Sequence, residues 1–219
     1  MSFSNEWDDK YKANAHFSKW PWSDLVSLVM RHRPKKRNFR VLELGCGAGA
    51  NIPFFVSLEA EYFAVEGSST IVENLHNRFP QLQNNISVGD FTESLPDLEF
   101  DLIVDRASLT CNHEASIMKC LDICHDRLAF NGKFIGVDWF STQHSDYSKG
   151  TQAEDIWTRR DMFGSGFEGT GRAHFSDQNH LMELFKAFKV VNLSHSVVSE
   201  KIPSLDSCLA TWKFVMEKS

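Results

Sequence analysis

At 219 residues, with 42% hydrophobic and 24% charged side chains and a net charge of −6, the chain has the size and balance of one globular domain with a full core. Its apolar runs stop short of the roughly 18 residues needed to cross a bilayer, and Met1–Asp9 lacks the basic start and apolar centre of a signal peptide, so a cytoplasmic protein without membrane contact is expected. The five cysteines, Cys46, Cys111, Cys120, Cys124 and Cys208, are odd in number and scattered, as for reduced thiols rather than a disulfide framework.

In chain order, Trp7, Tyr11, Phe17, Trp20 and Trp22 make an aromatic lead that either packs an arm onto the core or folds over a ligand pocket. Ser23 is placed to cap a helix whose apolar face is Leu25, Val26, Leu28 and Val29, ended by Pro34. Residues 31–40 then carry Arg31, Arg33, Lys35, Lys36, Arg37 and Arg40 with no acid. Such a run is most simply a solvated linker, and the acidic remainder of the chain tracks a nucleic-acid backbone poorly, so no nucleic-acid partner is expected. A buried strand, Val41-Leu42-Glu43-Leu44, runs into Gly45-Cys46-Gly47-Ala48-Gly49-Ala50-Asn51 and a helix through Ile52, Phe55 and Val56, with Pro53 tolerated in its first turn. Glycines at alternate positions permit positive φ and let backbone lie against a ligand, and the following helix start favours an anionic group.

The next strand, Glu61–Glu66, ends on an acid about twenty positions after Gly45, where a carboxylate can accept a ribose diol. Gly67-Ser68-Ser69-Thr70 supplies cap residues for a helix that buries Ile71, Val72, Leu75 and Phe79. A short strand, Ile86–Val88, leads to Gly89-Asp90-Phe91, and a fourth, Phe100–Asp105, again ends on an acid, followed by Arg106. His113 to Leu128 reads as a helix and Asn131-Gly132 as a turn into a fifth strand, Lys133–Asp138. This alternation predicts an α/β fold: a mostly parallel sheet with helices on both faces.

Between Trp139 and Phe175 the alternation breaks into polar, glycine-rich chain around a short helix candidate, Ala153 to Arg160. A stretch this long leaving the carboxyl end of a strand is read as an acceptor-binding insertion. No Gly-Lys-Ser/Thr ending makes it a phosphate loop. A helix (Asp177 to Phe188) and two apolar strands (Val190 to Val198, Ser207 to Met216) complete the chain. The expected organisation is therefore one domain: a lead and helix (1–34), a cofactor-binding core (35–138), the insertion (139–176) and a terminal helix and strands (177–219). Cys120, Cys124 and His125 have no partner pair at zinc spacing, so no metal is expected.

Taken together, the glycine turn and the three acids in order resemble the class I S-adenosylmethionine-dependent methyltransferases, whose first motif reads acid-x-Gly-x-Gly-x-Gly. The resemblance implies a Rossmann-like open sheet of about seven strands with an antiparallel last strand inserted between its neighbours. It implies S-adenosylmethionine as cofactor, with the glycine turn around the methionine part, Glu66 on the ribose and Asp90 at the adenine. The residues expected to hold it are Glu43, Gly45, Cys46, Gly47, Gly49, Asn51, Glu66, Gly67, Ser68, Asp90, Phe91, Asp105 and Arg106. The expected reaction is methyl transfer to oxygen or nitrogen of a small molecule, since Asp105-Arg106-Ala107-Ser108 departs from the Asn/Asp-Pro-Pro-Tyr/Phe of methyltransferases that modify bases or glutamine amides. Two alternatives stay open: a nicotinamide-dependent oxidoreductase, against which the first motif and the lack of Tyr-x-x-x-Lys speak, and a protein or RNA methyltransferase. At the sheet's functional edge, Asp138 and His174 are the candidate catalytic pair, His174 as base and Asp138 orienting it or the acceptor.

Overall fold

The computed structural model describes Trp7 and residues 18–219, with side chains except at 204–206. Tyr11 and Phe17 of the aromatic lead lie outside the described residues. Helix α1 (Ser23–His32) precedes β1 (Arg40–Leu44), α2 (Ile52–Ser57), β2 (Glu61–Glu66), α3 (Ser69–Arg78), β3 (Ile86–Val88), β4 (Phe100–Arg106), α4 (Glu114–Arg127) and β5 (Leu128–Phe140). Helix α1 starts at Ser23 itself, after an extended Trp22, with no side-chain cap, whereas the Ser68 hydroxyl caps α3 by accepting from Ile71 N at 3.2 Å.

Seven strands form one sheet in the order β3-β2-β1-β4-β5-β10-β9, where β9 is Lys189–Lys201 and β10 is Ser204–Glu217. The first five pair in parallel, and β10 lies antiparallel between β5 and β9, which is the expected open sheet with its inserted last strand. Because alternate side chains of a strand face opposite ways, Leu42 and Leu44 of β1 point to one face and Val41 to the other. On the first face α4 buries Ile117, Cys120, Leu121 and Cys124 at helical spacing, beside Leu181 and Leu184 of α5 (Gln178–Leu184). On the second, α1, α2 and α3 bury Leu25, Val29, Ile52, Phe55, Val72 and Leu75. Parallel strands covered on both faces leave only their ends for chemistry.

The insertion is not helical at Ala153–Arg160. It builds a small antiparallel sheet from β6 (Thr151–Gln152), β7 (Thr158–Arg160) and β8 (Ala173–His174). The reason is Asp155, whose carboxylate accepts from Trp157 N, Thr158 N and Thr158 Oγ1 at 2.8–2.9 Å and so takes the amides a helix would have used. Its second oxygen also accepts from Glu114 N at 2.8 Å, tying the insertion to the start of α4. Three cations of the basic decade are spent on acids: Lys36 on Asp101, Arg37 on Glu59 and Arg40 on Glu61. That supports its reading as a surface linker. Among the described residues no helix is long and apolar enough to cross a membrane.

Candidate active site

The carboxyl ends of β1, β2, β4 and β5 open into a cavity of about 590 Å³, a size ordinary for a small-molecule site. Its floor is the glycine turn, where Gly45, Gly47 and Gly49 take φ of +61, +49 and +75°. Two of them have distinct packing reasons. A Cβ on Gly45 would overlap the Ser108 side chain, whose hydroxyl donates to Gly45 O at 3.0 Å. A Cβ on Gly49 would strike Leu75 and Ile52, so Gly49 serves the close approach of α2 and α3 rather than the cavity wall.

One wall is acidic: Glu43, Glu66 and Asp90 all line the cavity. Glu66 accepts from Gly47 N at 2.9 Å and from Ser68 N at 3.0 Å, which fixes both carboxylate oxygens against the turn. Asp90 accepts from Thr92 N and Oγ1 at 3.0 and 2.6 Å. Glu43 is buried, and burial pushes its carboxyl up to about 7 against the pull of its two donors, Tyr62 Oη at 2.6 Å and Asn51 Nδ2 at 2.7 Å. The bond to Glu43 leaves Asn51, a residue of the cavity wall, with its Oδ1 buried and without a partner among the described residues. Asp105 stands behind this wall. Burial raises it to about 7 as well, and it holds Trp139 Nε1 at 2.6 Å and the amides of Ser108 and Leu109. Gly67 and Ser68 do not line the cavity either, whereas Gly45, Cys46, Gly47, Asn51, Phe91 and Arg106 do.

The opposite end is set by Asp138, which sits at φ +58° in β5, two residues before the strand's last, as Ala107 does after β4. Two non-glycine residues in the left-handed region at one sheet edge are backbone strain held by the surrounding fold. Asp138 accepts from Arg106 Nε at 2.8 Å, and the Arg106 guanidinium lies 3.6 Å from the Trp22 ring centre. Phe140 and Phe167 meet edge to face at 4.6 Å, and Gly166, Thr170 and Arg172 of the insertion complete this end. Trp7 and Trp22 of the aromatic lead thus reach the cavity, while Trp20 is exposed. Motif reading could not find Ser108, Phe167 or Thr211, which come from a loop, the insertion and β10 and share no local pattern.

His174 does not meet Asp138. It is buried between β7 and α5, its Nδ1 3.0 Å from Thr158 Oγ1 and its Nε2 3.0 Å from His180 Nε2. The Thr158 hydroxyl donates to Asp155, so His174 Nδ1–H must donate to Thr158 and His180 Nε2–H to His174. Burial and the neighbouring His180 hold the His174 imidazole down to about 3, and burial holds His180 at about 4 beneath the stacked Trp157 ring. A histidine with both nitrogens engaged and no face on the cavity is a structural tie, not a positioned base. Sequence proximity to the insertion's end suggested the role, and the side chain's inward turn removes it.

Residues 41–132 match the family model of the methyltransferase domain. Those residues form a methyltransferase domain, and the chain as a whole has the fold of S-adenosylmethionine-dependent methyltransferases. A solved S-adenosylmethionine-dependent methyltransferase from Methanosarcina mazei is similar over 91% of this chain and 98% of its own, with a TM-score of 0.68 and 14% identity. The N-methyltransferase NodS from Bradyrhizobium japonicum, solved with S-adenosylhomocysteine, is similar over 98% of each chain, with a TM-score of 0.64 and 14% identity. In sequence, the uncharacterized phycocyanin operon protein W of Pseudanabaena tenuis is 29% identical over 72 residues, 31% of this chain and 68% of that one. The cavity fits S-adenosylmethionine on its own terms. The unpaired Asn51 Oδ1 is an acceptor suited to the methionine ammonium, and the acidic wall suits a ligand carrying a sulfonium.

Proposed function

We propose that the methyltransferase holds S-adenosylmethionine along Glu43, Glu66 and Asp90 and places a small-molecule acceptor at Asp138, with methyl passing to its nitrogen or oxygen. The observation that carries this reading is the buried, unpartnered Asn51 Oδ1 on the acidic wall. When bound, the cofactor supplies an electrophilic methyl on a sulfonium that is already a good leaving group. Asn51 accepts from the ammonium, held in aim by Glu43 and Tyr62; Glu66 offers its carboxylate to the ribose and Asp90 to the adenine. Trp22, Phe140 and Phe167 wall the acceptor end with apolar surface and exclude water, so alignment of the attacking lone pair carries most of the rate. Asp138 accepts a hydrogen bond from the acceptor's N–H or O–H and orients it. With His174 turned away, a neutral amine is the acceptor this end serves best, because it attacks without prior loss of a proton. NodS, similar over the whole chain, is by its name an N-methyltransferase. The five free thiols, two of them on the cavity, agree with a reducing cytoplasm.

Thermal melting tests the cofactor: S-adenosylhomocysteine should raise Tm in a concentration-dependent way and nicotinamide dinucleotides should leave it unchanged. The reverse pattern returns the chain to the oxidoreductases. Incubation with labelled S-adenosylmethionine and a metabolite extract then tests the reaction, with label expected in a small molecule and not in protein or RNA.

A further inference from the structure

The two ends of the cavity differ in charge. The glycine-turn end carries Glu43, Glu66 and Asp90, and none of the cavity-lining cations stands there; Arg78, behind the turn, gives its Nη1 to Ala48 O at 2.7 Å. At the other end Arg106 and Arg172 line the wall, backed by Lys213 and Arg160, against the acids Asp138, Asp24 and Glu154. Both cavity-lining cations thus stand at this end, beside the lining acids Asp24 and Asp138, in a chain whose net charge is −6. The donors are also unequally spent. Arg106 gives its Nε to Asp138 and its face to Trp22, and among the described residues nothing accepts from its two Nη groups. Arg172 gives Nε and Nη2 to one oxygen of Glu154 and keeps Nη1. A guanidinium stacked on an indole and anchored at Nε is pre-organised to present its remaining edge to a carboxylate or phosphate. The strained Ala107 and Asp138 hold it there.

We propose that the methyl acceptor carries an anionic group, a carboxylate or a phosphate, that docks on the Nη edge of Arg106 with Arg172 contributing, apart from the atom that receives the methyl. The assignment rests on the methyltransferase reading and moves Arg106 from the cofactor, where the sequence placed it, to the acceptor. An anion on Arg106 sets the acceptor's polar end at the β4–β5 edge and leaves its nucleophile near Asp138. The acidic end, which would repel such a group, is kept for the positively charged half of the cofactor.

The test is a metabolite extract split on an anion exchanger and assayed with labelled S-adenosylmethionine. Label in the retained fraction is expected, and label confined to the flow-through overturns the proposal. Phosphatase treatment of the retained fraction separates the two sources: the acceptor survives if it is a carboxylate and is lost if it is a phosphate ester. With the acceptor in hand, Arg106→Gln should raise its KM about tenfold or more while S-adenosylhomocysteine affinity by calorimetry stays within about threefold, and Arg106→Lys should recover part of the loss. Weakened S-adenosylhomocysteine binding in Arg106→Gln with unchanged acceptor KM overturns the proposal and gives Arg106 to the cofactor's own carboxylate. If no fraction is labelled, inorganic phosphate and acetate should still quench fluorescence of the S-adenosylhomocysteine-loaded protein, and Trp22→Phe should abolish the quenching; no quenching overturns the proposal. Failure of the wild type to bind S-adenosylhomocysteine at all strikes the methyltransferase reading instead.

Discussion

Acidification should weaken the fold through one identifiable pair, His174 and His180. In the folded chain both imidazoles are held neutral, His174 down to about 3 by burial and by His180, and His180 down to about 4 by burial against the pull of Asp155, Asp177 and Glu183, whereas in the unfolded chain each titrates near its ordinary 6.5. The folded values are depressed, so between pH 6.5 and 4 the unfolded state binds more protons and stability falls as pH falls. Each histidine contributes about 1.4 kcal/mol per pH unit in that window, so the pair costs on the order of 3 to 4 kcal/mol between pH 7 and 5. Glu43 and Asp105 act with the opposite sign. Their folded values near 7 exceed the unfolded ones, so their charged forms burden the fold above pH 7 and that burden lifts on acidification. The wild-type curve alone therefore mixes two trends. His180→Gln isolates one of them, because the amide keeps an N–H for His174 Nε2 and removes a titrating ring. Urea melts at half-unit steps from pH 7.5 to 5 should show the variant losing stability with roughly half the slope that the pair supplies to the wild type. Parallel curves for the two proteins would refute the assignment of neutral, mutually bonded histidines in the folded state.

Three further outcomes are expected at the cofactor end. Glu66→Ala should weaken S-adenosylhomocysteine binding about tenfold or more by calorimetry, the usual cost of about 1.5 to 3 kcal/mol for losing a charged hydrogen-bond partner, and unchanged affinity would free Glu66 from the ribose. Gly47→Val should abolish binding, because a branched residue at φ +49° disturbs the backbone that meets the ligand, while Cys46→Ala should remain within a few fold; equal effects would move the site elsewhere. Tyr62→Phe keeps the ring and removes the 2.6 Å bond to Glu43, so it should cost about 1 to 3 kcal/mol in chemical denaturation and loosen Asn51, read as weaker S-adenosylhomocysteine binding.

Local signals made much of the fold legible. A four-residue apolar strand entering Gly45-x-Gly47-x-Gly49 and acids at the ends of successive strands are short-range patterns, and the structure places them at one sheet edge. The helix expected at Ala153–Arg160 failed for a local reason too, since its polar composition suits a helix but Asp155 captures the nearby amides. Gly49 and Asp105 sit in the motif yet serve packing and support, because their neighbours Leu75, Ile52 and Trp139 arrive from elsewhere in the chain.

By itself, then, the sequence determined the class of fold, the glycine turn and the acids that end successive strands, because each is written within a few consecutive residues whose backbone demands are fixed by glycine, proline and period-two burial. The acceptor end was decided only in three dimensions. Trp22, Arg106, Asp138 and Arg172 come from a lead, two strand ends and an insertion, and the contacts that join Arg106 to Asp138 and to Trp22 span 32 and more than 80 residues of chain. His174 shows the same rule from the other side. Its place beside the functional edge was readable, but whether its ring faced the cavity or His180 depended on how β8 packed on α5, which no local pattern encodes.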